Sequence, residues 1–369
     1  MDDVQGNLID YLKNIDKFFC LSVIILVLVG IFSIYSAGSG ASGIGKSLAL
    51  RQSIWAVVSI FSSLMVLMIG YKWFMDWAYA IYAVSLFFLV LVLVIGAVTK
   101  GAQSWLALGP FHLQPSEFGK VAFALAMSKH MVRYTPDNPV RLAKVTALGI
   151  PAIILVLIQP DLGSAAVYSF MLFTGILVAG GINRYSSSLF AGCLAMLPVG
   201  WHFLKDYQKL RLTVFLNPSI DPLGAGYNVI QSRIAVGSGG FFGKGYLQGM
   251  QSKLHFLPEP HTDFIFSVFA EEFGFMGTLL LIVLLLLVLW RIFNAGRNVR
   301  DIRVKYFVVM ITAWLFFQST ECIAMSIGLM PVTGLPFPFI SYGGSSLLSI
   351  FLSLGIIASI QLSTVKIFK

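Results

Sequence analysis

The chain has 369 residues, of which 57% are hydrophobic and only 11% are charged. This balance excludes a soluble globular domain and predicts a polytopic membrane protein. Uninterrupted apolar runs such as residues 279–290 also exclude a β-barrel, whose strands would alternate in polarity. The formal net charge of +9 would suit a nucleic-acid partner, but the basic residues are spread through short loops and form no single face, which excludes that function.

Apolar runs of about 20 residues, the length needed to cross a bilayer, predict an all-α fold with about ten transmembrane helices. We interpret residues 1–369 as one transmembrane domain with a large extracytoplasmic loop, residues 205–262, between the seventh and eighth helices. The predicted helices lie near residues 17–37, 52–71, 76–97, 117–132, 144–159, 164–181, 187–204, 264–290, 304–329 and 346–364.

The short loops on one side of these helices carry most of the Lys and Arg residues, whereas the opposite short loops hold little beyond Lys46, Arg51 and Lys100. By the positive-inside rule, the basic loops and both chain termini are cytoplasmic. Long loops cross membranes largely regardless of charge, so the cations of the large loop do not contradict this orientation. The outward segments are then residues 100–120, 158–165, 205–262 and 328–346.

The first two outward segments carry candidate functional side chains. Trp105 precedes Glu117 and Lys120, which share a helix face at a spacing of three residues. Asp161 lies at a tight turn between two helices. Simpler interpretations stay open: Glu117 and Lys120 could form a structural ion pair, Trp105 could anchor the membrane interface, and Asp161 could fix its turn.

The loop of residues 205–262 is far longer than a connection requires, and such loops are usually functional. Its cations Arg211, Arg233 and Lys244 alternate with glycine turns and amides. This pattern indicates a surface for an anionic headgroup at the membrane.

Five ionisable residues lie where that loop turns into an apolar helix: Glu259, His261, Asp263, Glu271 and Glu272. A carboxylate in a hydrophobic span costs about 2.5–3.5 kcal/mol on insertion scales, so its default interpretation is functional. Asp263, at the mouth of the helix, is the first candidate, although it could instead cap the helix. The deeper Glu271 and Glu272 are expected to be structural, and His261 could only order the loop.

The last outward segment, residues 328–346, is rich in Pro and Gly and cannot be regular helix. Irregular backbone at membrane depth must be buried in protein or line a cavity. Ser341 and Tyr342 are its candidate binding residues. We therefore expect the four outward segments to converge on one polar cleft.

Six motifs, in this order, resemble those of the SEDS family (shape, elongation, division and sporulation): KGAQSWL, QPSE, QPDLG, DPLGAGYNVIQS, FLPEPHTDFIF and PVTGLPFPFISYGGSS. The resemblance covers nearly the whole chain and is closest to the rod-shape branch, RodA, with the division branch, FtsW, next. It implies a ten-helix peptidoglycan glycosyltransferase of the bacterial cytoplasmic membrane. Such an enzyme polymerises lipid II into glycan strands for cell elongation and rod shape.

The same resemblance implies partners and a catalytic carboxylate. The partners are a class B penicillin-binding protein, which crosslinks the strands, and other membrane proteins of the elongation complex. Asp263 matches the key catalytic carboxylate of the family. Cys322 stands where the family usually has Asn, so a polar partner at that point would have to come from Gln318, Thr320 or Glu321.

Glycan polymerisation by one displacement needs a base at the attacking hydroxyl and positive charge at the departing pyrophosphate. Asp263 is the candidate base, and Trp105 could stack on a sugar ring. The candidate cations are Arg51, Lys120, Arg211, Arg233 and Lys244, with Arg211 and Arg51 preferred because arginine grips phosphate bidentately. A divalent cation, Mg²⁺ or Mn²⁺, held by Asp263 or Glu117 is the other option, and the sequence leaves both open.

Two other functions compete with the glycosyltransferase: a flippase or transporter of the lipid-linked precursor, and a scaffold that holds the penicillin-binding protein. A transporter would carry ionisable residues at mid-membrane in matched halves of the chain. Here the ionisable residues cluster at the outer face, which favours the enzyme.

Overall fold

Each of the ten predicted apolar runs forms a helix in the computed structural model. The structure describes residues 16–39, 43–99, 102–108, 111–203, 206–222, 224–254, 256–297 and 299–367. The N-terminal residues 1–15, Lys100, Lys205 and the last two residues, to which topology predictions apply, lie outside the described residues. In chain order the helices are Lys17–Ala37 (α1), Gly45–Ile69 (α2), Tyr71–Asp76 (α3), Ala78–Ile95 (α4), Pro115–Arg133 (α5), Pro139–Ile158 (α6), Leu162–Gly180 (α7), Arg184–Phe203 (α8), Asp206–Leu216 (α9), Ala225–Ser238 (α10), Met250–Lys253 (α11), Ile265–Ala295 (α12), Ile302–Ile327 (α13) and Gly344–Ile367 (α14).

Helix α5 is the polar member of the bundle. Eight helices of the described chain are long and apolar enough to cross a membrane, namely α1, α2, α4, α6, α7, α12, α13 and α14. Helix α5 instead carries Glu117 and Lys120, whose exposed fractions are only 1% and 0%. It packs among α4, α6, α7, α13 and α14, so its charges face protein instead of lipid.

Short polar side chains begin several helices by accepting hydrogen bonds from the first free amides. Asp16, Asn138 and Asp301 cap α1, α6 and α13 in this way. Asp161 caps α7 by accepting the Ser164 amide. The interpretation that Asp161 fixes its turn is confirmed.

A small antiparallel sheet lies between α4 and α5, and the sequence did not predict it. Its strands are Ala97–Thr99 (β1), Ala102–Leu108 (β2) and Phe111–Leu113 (β3), in the order β1-β2-β3. Trp105 lies on β2 opposite Ala97 and is half-buried. The sheet turns the chain back toward the start of α5.

The large loop is mostly helical, although none of the predicted helices lies within it. It holds α9, the 3-10 turn Pro218–Ile220, α10 and α11. Helix α10 packs on α12 and α13. The glycines of this loop lie mostly in the turns between these helices, whereas most of its Asn and Gln residues lie within the helices.

Helix α12 is interrupted at Gly274, where the predicted helix was continuous. Gly274 has φ 63° and ψ −163°. A side chain there would place its Cβ 2.2 Å from the Gly243 nitrogen, so only glycine fits. The chain after α10 enters the gap: the Lys244 and Gly245 amides donate to the carbonyls of Glu271 and Glu272, both at 3.0 Å. The Phe275 and Met276 amides donate to the carbonyls of Gly240 and Phe241, at 2.9 and 3.0 Å.

Candidate active site

The irregular connection between α13 and α14, residues 328–343, is bound to α13 by three polar side chains. Gln318 Nε2 donates to the Pro336 carbonyl at 2.6 Å. Cys322 Sγ donates to the Leu335 carbonyl at 3.1 Å, and Glu321 accepts a hydrogen bond from the Thr333 hydroxyl. Cys322 therefore makes a polar contact of its own, and Gln318 and Glu321 support the same backbone on either side of it.

The far end of this connection holds the segment that carries Asp263. Ser341 Oγ donates to the Thr262 carbonyl at 2.7 Å, and the Tyr342 amide donates to the His261 carbonyl at 2.9 Å. The rings of His261 and Tyr342 meet edge to face with centroids 5.9 Å apart. The two predicted binding residues Ser341 and Tyr342 therefore position the Asp263 segment through main-chain contacts.

Gly334 brings the same connection against the carboxylate itself. A Cβ built on Gly334 would lie 3.5 Å from Asp263 Oδ2, and Gly334 has φ +79°. The carboxylate is half-buried and also interacts electrostatically with Glu321. Helix α12 has Phe264 as its N-cap residue and no side-chain capping bond there. Asp263 lies one residue before that N-cap position, which argues against the alternative that Asp263 caps the helix.

The remaining outward segments join the same network from the other side. The Gln114 amide donates to Ser345 Oγ at 3.2 Å, and its side-chain Nε2 donates to Asp161 Oδ2 at 3.2 Å. Ser345 Oγ donates to the His112 carbonyl at 3.3 Å. Hydrogen bonds therefore link the four segments to one another. The convergence of all four on one polar cleft stays a prediction, because the cavity described next is lined from residues 211–264 and Val332.

A cavity of about 170 Å³ opens beside Asp263. Three charged side chains line it: Asp263, Glu259 and Arg211. Arg211, exposed on α9, also donates through Nη1 to the Val332 carbonyl at 3.3 Å. Glu259 holds a left-handed backbone with φ 49°, which is uncommon for a non-glycine residue. The other lining residues are Val214, Asn228, Val229, Pro258, Phe264 and Val332.

Of the predicted cations, Arg211 is the one that lines this cavity; Arg51, Lys120, Arg233 and Lys244 do not. Lys244 forms an ion pair with Glu271 at 2.7 Å. The buried Glu271 also accepts hydrogen bonds from the Met250 and Gln251 amides. These contacts agree with the expected structural role of Glu271. Glu272 is buried and accepts the Ser36 hydroxyl, which fits the same expectation. Arg233 donates to the Gly328 carbonyl at 2.8 Å. Arg51 is exposed on α2.

Lys120 and Glu117 form a buried ion pair at 2.6 Å, as their spacing predicted. Lys120 Nζ also donates to Gln318 Oε1 at 3.1 Å and lies 5.2 Å from the centre of the Trp314 ring. Gln318 in turn donates to the Pro336 carbonyl. The Lys120–Glu117 pair is therefore connected through Gln318 to the connection of residues 328–343. Glu117 Oε2 has no hydrogen-bond partner among the described atoms.

Two glutamines were missed at the sequence level. Gln52 is 1% exposed in the apolar helix α2, yet its side chain bonds the backbone at Ser341 and Gly343. Gln114 joins Asp161 to the start of α5. A buried amide inside an apolar run is a usable signal, because burying it without a partner is costly.

The model of the cell cycle protein family that unites FtsW, RodA and SpoVE matches residues 16–366. The chain belongs to this family. It is the SEDS family that the six sequence motifs predicted, and that prediction is confirmed.

Relatives of this SEDS chain match over almost its full length. It is 31% identical to the peptidoglycan glycosyltransferase RodA of Treponema pallidum, over 95% of this chain and 98% of that protein. It is 35% identical to the peptidoglycan glycosyltransferase MrdB of Escherichia coli K12, over 94% of each chain. Stage V sporulation protein E of Bacillus subtilis is 34% identical over 94% of this chain and 96% of that protein.

Solved structures show the same fold. A chain in a peptidoglycan synthase complex that coordinates polymerization and crosslinking superposes with a TM-score of 0.82 at 31% identity, over 95% of this chain and 98% of that one. The rod shape determining protein RodA of Thermus thermophilus superposes with a TM-score of 0.70 at 29% identity, over 95% and 97%. The prediction of a polytopic all-α membrane protein is confirmed.

Proposed function

We propose that this chain, a peptidoglycan glycosyltransferase of the SEDS family, polymerises lipid II with Asp263 as the general base. The observation that carries the assignment is that Asp263 and Arg211 line one cavity. A carboxylate and a guanidinium on the wall of one cavity can supply the base and the positive charge that the displacement requires. Because the relatives include RodA and MrdB, we assign the activity to cell elongation and rod shape.

In the proposed step, a sugar hydroxyl of one substrate attacks the anomeric carbon of the other. The hydroxyl proton passes to the Asp263 carboxylate as the new glycosidic bond forms. The bond from the anomeric carbon to the pyrophosphate oxygen breaks with inversion, and the lipid pyrophosphate leaves with the electron pair. No acid is needed at the leaving group, because pyrophosphate departs as a stable anion; a cation nearby lowers the barrier.

Arg211 is the best placed cation for that purpose. Its guanidinium is anchored to the Val332 carbonyl by one nitrogen, and a guanidinium has further donors for phosphate oxygens. Lys120 and Lys244 are already paired with Glu117 and Glu271. We therefore rank Arg211 above the other candidates.

A divalent cation remains a proposal beside Arg211. Within the described ranges, no group of three or more His, Cys, Asp or Glu side chains gathers as a metal site. Asp263 and Glu259 nevertheless line the cavity together, and Mg²⁺ is often held by one or two carboxylates plus substrate phosphates. These two residues would hold Mg²⁺ or Mn²⁺, which would neutralise pyrophosphate charge. Glu117 fits less well because it is buried against Lys120.

The orientation and the partners are proposals as well. We place the cavity on the outer side of the bacterial cytoplasmic membrane and both termini in the cytoplasm, on the strength of the basic loops at the opposite end of the bundle. A class B penicillin-binding protein is the proposed partner, together with other elongation-complex membrane proteins. A related chain was solved in a complex that coordinates polymerization and crosslinking, which supports this choice.

The test is polymerisation of labelled lipid II by the reconstituted protein with its cognate penicillin-binding protein, with moenomycin present to silence classical glycosyltransferases. Asp263→Asn should lower the rate by about 10²- to 10⁴-fold, the usual contribution of a general base. Asp206→Asn is the matched control, because Asp206 is exposed in the first turn of α9 and does not line the cavity. Full activity of the Asp263 variant would refute the base assignment. Transfer of lipid II across vesicles by the wild type without polymer would support the flippase instead.

A further inference from the structure

A second charged feature lies at the other end of α5, far from the cavity. It is a group of side chains around Tyr134 that we call the Tyr134 cluster: Tyr79, Lys129, His130, Arg133, Tyr134 and Lys144. Helix α5 has 19 residues from Pro115 to Arg133, so at 1.5 Å per residue its two ends are about 28 Å apart. The cluster is therefore separate from the Asp263 cavity and from the proposed glycosyl transfer.

The cations of the Tyr134 cluster are arranged over two aromatic rings. Lys144 Nζ lies 4.7 Å and Arg133 Cζ 5.4 Å from the centre of the Tyr134 ring. Lys129 Nζ lies 5.3 Å from the centre of the Tyr79 ring. His130 joins the two halves: its Nδ1 is 3.1 Å from the Tyr79 hydroxyl, and its ring centre is 4.9 Å from that of Tyr134.

The charge of these three cations is not balanced by neighbouring carboxylates. Three other arginines at this end of the bundle do have carboxylate partners: Arg141 pairs with Asp137, Arg291 with Asp16 and Arg303 with Asp301. Over the part of the chain that the structure describes, no carboxylate forms an ion pair with Lys129, Arg133 or Lys144.

Two acidic residues, Asp76 and Asp137, lie beside the cluster. Lys129 donates to the main-chain carbonyl of Asp76 at 2.5 Å, while the Asp76 carboxylate binds Arg303. Asp137, the carboxylate between α5 and α6, is bound to Arg141. Both acids beside the cluster are therefore engaged elsewhere, and a net positive surface is left.

Apolar side chains continue this surface along the outside of the bundle. Val132 is 40% exposed beside Arg133, and Val140 is 63% exposed at the start of α6. Ile150 and Ile154, further along α6, are 44% and 48% exposed. A ligand that fits must therefore combine an anionic group with hydrocarbon chains.

We propose that the Tyr134 cluster is a binding site for the headgroup of an anionic phospholipid. Its phosphate lies against Arg133 and Lys144 over the Tyr134 ring, and its acyl chains follow the exposed valines and isoleucines of α5 and α6. The positive charges attract the phosphate, and the apolar faces distinguish a lipid from a free anion. The site holds the α5–α6 connection at the membrane surface.

The test is native mass spectrometry of the full-length protein in detergent, with phosphatidylglycerol as the anionic probe and phosphatidylcholine as the neutral one. We expect phosphatidylglycerol adducts on the wild type and about tenfold weaker binding in the double variant Arg133→Gln/Lys144→Gln. Arg297→Gln is the matched control, because Arg297 is an exposed arginine just after α12 and outside the cluster. It should bind phosphatidylglycerol as the wild type does.

Three results would overturn the proposal. Equal loss in the Arg297→Gln control would mean diffuse electrostatic attraction, and equal retention of both lipids would mean no headgroup recognition. Displacement of phosphatidylglycerol by inorganic phosphate at equal concentration would identify a free-anion site. Thermal unfolding without added lipid checks that the double variant is folded, and the single variant Lys144→Gln replaces it if it is not.

Discussion

The side-chain amide of Gln52 donates a hydrogen bond to the main-chain carbonyl of Ser341 at 3.3 Å. Its Oε1 accepts a hydrogen bond from the Gly343 amide at 3.2 Å. One side chain on α2 therefore binds the backbone of residues 341–343 at both ends. Ser341 Oγ meanwhile binds the carbonyl of Thr262, the residue before Asp263. Gln52 is thus a positioning residue for the proposed base, although it contacts neither the base nor the cavity.

Replacing Gln52 with Leu should lower the polymerisation rate by about tenfold, because the turn that holds Thr262 loses two hydrogen bonds and Asp263 loses its fixed position. The expected change is in kcat, with KM for lipid II little altered. Gln159→Leu is the control: Gln159 is also buried and binds a main-chain carbonyl, that of Leu89 at 2.9 Å, but it follows the last residue of α6. Rates are compared per folded molecule, which removes any effect of stability. Equal rate losses in the two variants would then contradict a specific positioning role for Gln52.

Replacing Arg211 with Gln should lower the rate of lipid II polymerisation by about 10²-fold, because the departing pyrophosphate loses its nearest cation. Arg211→Lys should recover only part of the activity, since lysine lacks the bidentate geometry. Lys209→Gln on the same helix is the charge-matched control and should be nearly neutral. If Arg211→Gln polymerises lipid II at the wild-type rate, another cation or a metal holds the pyrophosphate.

Replacing Lys120 with Met should lower the free energy of unfolding by about 3–5 kcal/mol, because Glu117 would be left charged and unpaired in the protein interior. The double variant Glu117→Gln/Lys120→Met should regain most of that loss, as measured by thermal unfolding in detergent. A single variant as stable as the wild type would contradict the buried ion pair. A double variant that is stable but inactive would show that the pair takes part in the chemistry.

Replacing Gly274 with Ala should destabilise the protein, because the new Cβ would lie 2.2 Å from the Gly243 nitrogen at a φ of +63°. The matched control is Gly237→Ala near the end of α10, where a Cβ meets nothing within 4 Å. The control should be neutral or should raise stability by about 0.5–1 kcal/mol, since alanine favours helix. Equal unfolding temperatures for the two variants would argue against the break in α12.

Structural features that depend on local sequence patterns could be predicted from the sequence. Apolar runs located the ten long helices, and the spacing of Glu117 and Lys120 predicted their ion pair. Proline and glycine content identified residues 328–346 as irregular. Each of these signals lies within a few residues of the feature that it predicts.

Contacts between distant residues leave no such pattern. Gln52 meets Ser341, and Lys244 meets Glu271, only after the helices have assembled, so neither pairing could be predicted. The break at Gly274 was missed because the apolar run continues through it. Helices α9 and α10 were missed because their stretches are polar or rich in glycine, and their packing on neighbours outweighs weak local propensity.

The break in α12 has a mechanical consequence for Asp263, the proposed base. The segment of residues 240–245 bridges the break. Two of its amides donate hydrogen bonds to carbonyls of the first half of α12, and two of its carbonyls accept hydrogen bonds from amides of the second half. The lipid-facing second half is therefore aligned with the short first half by a neighbouring segment as well as by its own backbone. Those four hydrogen bonds therefore help to fix the position of Asp263 relative to the second half of α12.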